Sequence, residues 1–92
     1  MEVSISFDKD TVKLGSPVTV NYSATDCDDV FLNVDNYAGP IDLGRGPLVS
    51  GTIKLLPLTD GQFNVQIVGS GRYGAANDYR PEITQTASCQ VT

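Results

Sequence analysis

Apolar and polar residues alternate along most of this chain, and the clearest run covers residues 16–25. Within it Val18, Val20, Tyr22 and Ala24 fall on one side, while threonine, asparagine and serine fall on the other. A two-residue period is typical of a β-strand with one buried face. We therefore expect this segment to be a strand whose apolar side lies in the core.

The same alternation recurs in short segments from one terminus to the other. Turn residues separate these segments, and none shows the 3.6-residue period of a helix. The predicted strands cover residues 3–7, 12–14, 17–25, 30–35, 53–57, 63–68 and 87–92, with long loops at 36–49 and 69–82. This spacing predicts an all-β fold, an antiparallel sandwich of about seven strands. The predicted core contains Val18, Val20, Tyr22, Val30, Leu32, Val34, Phe63, Val65 and Ile67.

The size and charge of the chain limit its domain number and its partners. Ninety-two residues form a single domain, which we assign to residues 1–92. Eleven acidic residues against six basic ones give a net charge of −5. Nucleic acids and anionic membranes need clustered cations, so we expect neither as a partner. No apolar run is long enough to span a bilayer, which predicts no membrane insertion.

The N-terminal segment shows no pattern typical of an export signal. Residues 1–4 contain no basic region followed by an apolar stretch. Either the protein acts without export, or the chain is a module of a longer protein; the sequence leaves both open.

Three segments resemble the immunoglobulin-like domains of bacteria and bacteriophages. Residues 12–25 hold a Leu-Gly turn followed by Val-Thr-Val-Asn-Tyr-Ser-Ala-Thr, and residues 50–57 and 63–67 continue the likeness. The resemblance implies that the predicted sandwich is immunoglobulin-like. It implies no activity, because this fold serves many functions.

The chain departs from the family pattern at its cysteines. Tyr22 stands where the family often has tryptophan, and the resemblance places the positions of the inter-sheet cystine at Val30 and Ile67. Cys27 lies in an acidic turn, whereas Cys89 shares the inward phase of the last strand, which predicts a small core residue. A bridge between them and two free thiols both stay open, and the spacing favours free thiols.

The sequence gives little support for catalysis or metal binding. Because the chain has no histidine, it lacks the usual general base at neutral pH, and Ser-His-Asp and Cys-His arrangements are impossible. We predict that the protein is not an enzyme and has no cofactor. The acidic turn at Asp26, Asp28 and Asp29 offers oxygen ligands but too few to complete a calcium site. No metal site is predicted, and whether this turn binds calcium stays open.

Tyrosine and arginine concentrate in the predicted loops at 36–47 and 69–81. Three of the four tyrosines and all three arginines lie there, among Gly, Ser and Asn. This composition is typical of protein-binding loops, and loops on a rigid scaffold often carry function. The alternative is that these side chains pack against their own sheet. The candidate partner-binding residues are Tyr37, Arg45, Arg72, Tyr73, Tyr79 and Arg80.

An apolar patch is also predicted beside these loops. Phe31 and Val68 fall on the outward phase of two strands that we expect to pair. Two adjacent exposed apolar side chains could extend a contact surface.

Two function classes remain open. In the first, which the resemblance favours, the chain is a bacteriophage virion accessory protein, a capsid-decoration or tail domain. Its partners would be capsid or tail proteins or a host-surface glycan. In the second, it is an adhesion or carbohydrate-binding module of a bacterial surface or secreted protein, located outside the cell or on its surface. The sequence fixes neither the partner nor the oligomeric state.

Overall fold

The computed structural model describes residues 1–71 and 81–92 of the chain. Within these residues the protein is all-β, with six strands and no helix, so no helix in them could cross a membrane. The strands are β1 (Glu2–Phe7), β2 (Thr11–Val12), β3 (Val18–Val34), β4 (Ile41–Leu55), β5 (Gly61–Ser70) and β6 (Glu82–Val91). The predicted all-β class is therefore confirmed.

All six strands belong to one sheet. Their order is β1-β3-β5-β6-β2, and β4 also pairs with β3. The pairing of β2 with β6 is parallel, and the other four pairings are antiparallel. The first half of β3 pairs with β1 and its second half pairs with β5, while β4 follows β3 through both halves.

The sheet curls because β3 and β4 bend near their middles. Asp26 has a φ of 55°, and the register between β3 and β4 shifts between Cys27 and Val30. Gly44 and Gly46, which pair with Val30 and Cys27, have φ values of 107° and 134°. Glycine adopts such angles without strain, and irregular register bends a strand. The two halves of the hairpin can therefore run in different directions.

The curl brings β1 across β5, and the core lies inside it. The rings of Phe7 on β1 and Phe63 on β5 have centroids 6.1 Å apart. At the other end of these strands, Val3 lies against Gly69. The predicted core is confirmed for eight buried residues: Val18, Val20, Val30, Leu32, Val34, Phe63, Val65 and Ile67.

Tyr22 differs from the other predicted core residues because it is half-buried. It packs against the core cluster and pairs with Gly51 on β4. Its hydroxyl lies 2.9 Å from the point where a Cβ of residue 51 would stand. The ring therefore covers a glycine that has no side chain of its own.

Several predicted boundaries are wrong. β5 runs to Ser70 and β6 begins at Glu82, so both enter the predicted loop 69–82, and β6 begins five residues before the predicted strand 87–92. The strands predicted at 17–25 and 30–35 form one strand, β3, which runs through the acidic segment predicted as a turn. Residues 41–49, predicted as loop, belong to β4. Glycine and proline suggested a loop there, but Gly44 and Gly46 lie at the bend, and Pro47 is tolerated because β4 pairs on one side with β3. The count of described strands is thus six.

The cystine assignment from the resemblance is also wrong. Val30 and Ile67 lie on β3 and β5, which are hydrogen-bonded neighbours, so these positions cannot join two opposed layers. Cys27 and Cys89 are both free and buried, which confirms the core position of Cys89. Cys27 lies against Gly69 of β5, whereas Cys89 pairs with Phe63 of β5. Positions 63 and 69 are six residues apart along that strand. That separation is about 20 Å, far beyond the reach of a disulfide.

Candidate functional site

Tyr37 lies in the turn that follows β3. Its backbone N–H donates to the carbonyl oxygen of Val34 at 3.1 Å, and Asn36 before it has a φ of 64°. Asparagine tolerates this left-handed conformation better than most residues. The Tyr37 side chain is 49% exposed, so it is available for contact.

Arg45 lies at the bend of β4, between Gly44 and Gly46. It is exposed, and with Asp29, Asp42 and Gly44 it lines a shallow cavity of about 310 Å³. A carboxylate oxygen of Asp42 accepts a hydrogen bond from the Gly44 N–H at 3.0 Å, which fixes the backbone next to Arg45. The cavity thus combines one guanidinium with two carboxylates.

Tyr37 and Arg45 do not share a surface. Tyr37 follows the end of β3, where Val34 pairs with Val65 on β5. Arg45 lies next to Gly44, which pairs with Val30. Val30 in turn pairs with Gly69 on β5. Positions 65 and 69 are four residues apart on β5, which corresponds to about 13 Å. The two residues therefore lie toward opposite ends of the sheet.

The other four candidate residues, Arg72, Tyr73, Tyr79 and Arg80, lie outside the described residues. The described residues on either side are joined, because the Gly71 N–H donates to the Pro81 carbonyl oxygen at 2.8 Å. Ser70, next to Gly71, pairs with Asp29, which lines the cavity of Arg45. The base of the segment 72–80 and Arg45 thus lie at the same end of the sheet.

The acidic segment of β3 surrounds a second cavity of about 430 Å³, lined by Asp26, Cys27, Asp28, Gly46 and Pro47. In residues 1–71 and 81–92, no group of three or more histidine, cysteine or carboxylate side chains has an arrangement that could hold a metal ion. Burial raises the pKa of the Cys27 thiol, and the Asp26 and Asp28 carboxylates raise it further, against a lowering by the N-terminal ammonium group. A raised pKa keeps this thiol protonated and unreactive.

The predicted apolar patch is wrong, although its pairing is confirmed. Phe31 and Val68 pair directly across β3 and β5. Phe31 is half-buried, however, and Val68 is only 5% exposed, although it is not part of the main core cluster. The patch was predicted because Val68 falls on the outward side of its strand. The alternation of a strand shows which side a residue faces, but not whether other residues cover it.

Sequence reasoning missed a polar surface on the outer side of β3, β5 and β6. Asn33 pairs with Gln66, and their side-chain amides are hydrogen-bonded at 3.1 Å. Asn64 is the next outward residue on β5 and donates its side-chain N–H to Asp35 at 3.0 Å. The signal was present in the sequence as amides at every second position of residues 62–66.

Three exposed leucines in the connections between strands were also missed. Leu14, Leu56 and Leu58 are 49%, 50% and 66% exposed and lie in the connections that follow β2 and β4. The Leu14 N–H donates to the Thr92 carbonyl oxygen at 2.8 Å, which fixes that connection. Leu58 lies between predicted strands, where no phase assigned it to a face. Leu14 and Leu56 lie within the predicted strands 12–14 and 53–57, but the observed strands end earlier, at Val12 and Leu55.

Comparison with known proteins gives no family assignment. No protein-family model, curated protein or solved structure matches the chain significantly. The function must therefore be inferred from the residues and their geometry.

Proposed function

We propose that this chain is an immunoglobulin-like sandwich domain that binds another molecule and carries no catalytic chemistry. If β3 and β4 are each divided at their bends, one layer contains β1, the first half of β3 and the second half of β4. The other contains the remaining halves with β5, β6 and β2. This grouping corresponds to the ABE and CFG sheets of immunoglobulin domains. The absence of histidine supports a non-catalytic role.

Nuclear magnetic resonance can test the two-layer arrangement. We expect nuclear Overhauser contacts between the rings of Phe7 and Phe63, and between the side chains of Val3 and Ile83, which both lie against Gly69. Both pairs connect strands that are not hydrogen-bonded neighbours. If neither contact is observed in the folded protein, the layers do not pack as proposed.

The binding surface in this proposal is the end of the sheet that carries Arg45 and the base of segment 72–80. One observation carries it: Arg45 and Asp29 line the same cavity, and Asp29 pairs with Ser70 beside Gly71. Arg72 and Arg80 adjoin Gly71 and Pro81 in sequence, and they are included in the proposed surface on that ground alone. Arginine and tyrosine are the residues most often responsible for binding energy at interfaces.

The preferred partner is a protein, and the preferred setting is a bacteriophage particle, with the domain on the capsid or tail. The support for this setting is the resemblance of residues 12–25, 50–57 and 63–67 to bacterial and bacteriophage immunoglobulin-like domains. Repeated contacts on a lattice would make modest single-site affinity sufficient.

Alanine variants of Arg45, Arg72, Tyr73, Tyr79 and Arg80 test the surface. Circular dichroism should show an unchanged fold, and incorporation into particles or binding to host-surface extract should fall. Interface anchors typically cost about 2 kcal/mol or more when truncated. Lys54→Ala serves as the control, because Lys54 is an exposed cation on the half of β4 that pairs with the first half of β3. Association undiminished by the first set would reject this surface.

The alternative is an adhesion or carbohydrate-binding module of a bacterial surface or secreted protein. The amide-rich outer surface at Asn33, Asn64 and Gln66 is the observation that favours it. The two classes differ in the genes that surround the coding region: capsid and tail genes for the first, and a long exported reading frame for the second.

A further inference from the structure

The outer side of β5, β6 and the second half of β3 carries a continuous run of uncharged polar side chains between the carboxylates of Asp35 and Glu82, and we call this run the amide face. Its strand residues pair across the sheet, so they form adjacent rows. They are Asn33, Gln62, Asn64, Gln66, Thr84, Thr86, Ser88 and Gln90. None carries a charge, although the protein has a net charge of −5. Sheet surfaces that serve only for solubility usually carry lysine and glutamate.

A cleft of about 210 Å³ opens on the amide face. It is lined by Asn33, Val34, Asp35, Asn64, Gln66 and Thr86. The side chains of Asn33 and Thr86 are exposed, and those of Asp35, Asn64 and Gln66 are half-buried. The cleft therefore offers amide donors and acceptors, one hydroxyl and one carboxylate within a small volume.

Hydrogen bonds among these side chains hold them in position. Ser88 Oγ donates to Asn64 Oδ1 at 2.6 Å, Gln62 Nε2 donates to Ser88 Oγ at 3.1 Å, and Asn64 Nδ2 donates to Asp35 Oδ2 at 3.0 Å. A ligand that binds here meets a largely ordered set of groups, which lowers the entropy cost of binding.

The cleft keeps hydrogen-bonding capacity for a ligand. Asn33 Nδ2 uses one N–H on Gln66 Oε1 at 3.1 Å, so its second N–H and the Gln66 Nε2 group remain available as donors. The Asp35 Oδ1 atom and the Thr86 hydroxyl add acceptors. The cleft thus contains both donors and acceptors.

We propose that this cleft binds a neutral oligosaccharide. Sugar hydroxyls both donate and accept, so they match a mixed set of amides, a hydroxyl and a carboxylate. Phe31 is half-buried at the next outward position on β3, beside the cleft rather than in its lining, and offers an apolar edge to a sugar ring that extends beyond it.

Other ligands fit less well. An anion would face Asp35 without a nearby lysine or arginine in the cleft lining. A cation such as Ca²⁺ would need about six oxygen ligands, mostly charged. A protein partner would need large exposed anchors, and the apolar Val68 of this face is buried.

The proposal rests on the binding role proposed above, but it uses different residues from the arginine-bearing end. It supplies a ligand class for the glycan partner, in either a virion or a bacterial surface protein. If binding at one surface is disproved, binding at the other can therefore still be tested.

The experiment is titration of the ¹⁵N-labelled protein with linear hexasaccharides of glucose, xylose, mannose and N-acetylglucosamine, followed by nuclear magnetic resonance. Oligogalacturonate serves as the charged comparator. We expect at least one neutral sugar to shift the side-chain amide signals of Asn33 and Gln66 saturably, while oligogalacturonate does not.

Single variants then locate the site. Asn33→Ala, Gln66→Ala and Thr86→Val should each weaken binding about three- to tenfold, the loss of one or two neutral hydrogen bonds. Asn21→Ala is the matched control, because Asn21 is a half-buried outward residue on the first half of β3. The affinity of the Asn21→Ala variant for the sugar should equal that of the parent.

The proposal would be overturned if no neutral hexasaccharide shifted the signals at millimolar concentration, or if Asn33→Ala and Gln66→Ala left binding unchanged. A preference for oligogalacturonate would overturn it equally. In each case alanine variants of the arginine-bearing end still test the proposed protein contact independently.

Discussion

The Sγ atom of Cys27 lies 2.8 Å from the point where a Cβ of residue 69 would stand, and that residue is glycine. A Cγ atom of Val3 lies 2.7 Å from the same point. Real Cβ atoms essentially never approach other atoms so closely. Gly69 is thus required for space rather than for backbone conformation, and it allows β1, β3 and β5 to meet at one end of the core.

Gly69→Ala should destabilise the protein by about 1–3 kcal/mol, the usual cost of overpacking a core. Thermal or urea unfolding measures this change. Cys27→Ala removes the Sγ atom, so the cost of Gly69→Ala should be smaller in that background. The relief should be partial because Val3 also contacts the added methyl group. Additive effects of the two substitutions would argue against the close contact.

Reduction should leave the thermal midpoint unchanged. Cys27 and Cys89 lie about 20 Å apart along β5, and a disulfide needs Cα atoms within about 7 Å. Melting with and without reductant tests this directly. A large drop in midpoint on reduction would reveal a bridge that this fold does not permit.

Alternation predicted the strands and the core because inward residues follow a strict two-residue period within each half-strand. It failed where that period is interrupted. In β3 the buried residues Ala24, Cys27 and Val30 are three apart, since Asp26 adopts a left-handed conformation and the register shifts. Three aspartates within residues 26–29 look like a turn, and only the partner strand β4 shows that pairing continues through this segment.

The candidate site was less predictable than the fold. Composition grouped Tyr37 with Arg45 because both lie in one Gly- and Pro-rich segment, but the bend of β4 separates them. The cleft at Asn33 and Gln66 depends on cross-strand register, which joins residues 33 positions apart. Short-range patterns contain no information on such pairing.

Leu32→Ala and Phe63→Ala should each cost about 2–5 kcal/mol of unfolding free energy. Leu32 is fully buried, and Phe63 is 5% exposed and packs against Phe7. Leu58→Ala is the matched control, because Leu58 is 66% exposed and should change stability by less than about 0.5 kcal/mol. If the buried and exposed leucines give equal effects in urea unfolding, the assignment of faces is wrong.

The Cys27 thiol should make stability depend on alkaline pH. Burial raises its pKa in the folded protein, and its Sγ donates to the Thr25 carbonyl oxygen at 3.4 Å. In the unfolded chain the thiol ionises near pH 8.5. The unfolded state therefore loses its proton first, and the stabilisation, complete below about pH 8.5, is lost as pH rises further.

Urea unfolding between pH 7 and pH 10 measures this effect. The unfolding free energy of the parent should fall more steeply above about pH 8.5 than that of Cys27→Ala, which has no thiol at this position. Parallel pH profiles for the two proteins would show that Cys27 does not contribute.

Asp35→Ala should lower stability by loosening the end of β3 against β5. One carboxylate oxygen of Asp35 accepts the backbone N–H of Asn64 at 2.9 Å and the Asn64 side-chain N–H at 3.0 Å. Loss of the acceptor leaves a half-buried backbone donor without its partner, at a cost of about 1–3 kcal/mol. Asp35→Asn keeps an acceptor oxygen and should recover part of the loss. Asp60→Ala is the control, since Asp60 is an exposed carboxylate in the connection before β5. Equal midpoints for Asp35→Ala and Asp60→Ala would show that the carboxylate of Asp35 does not secure this end of the strand.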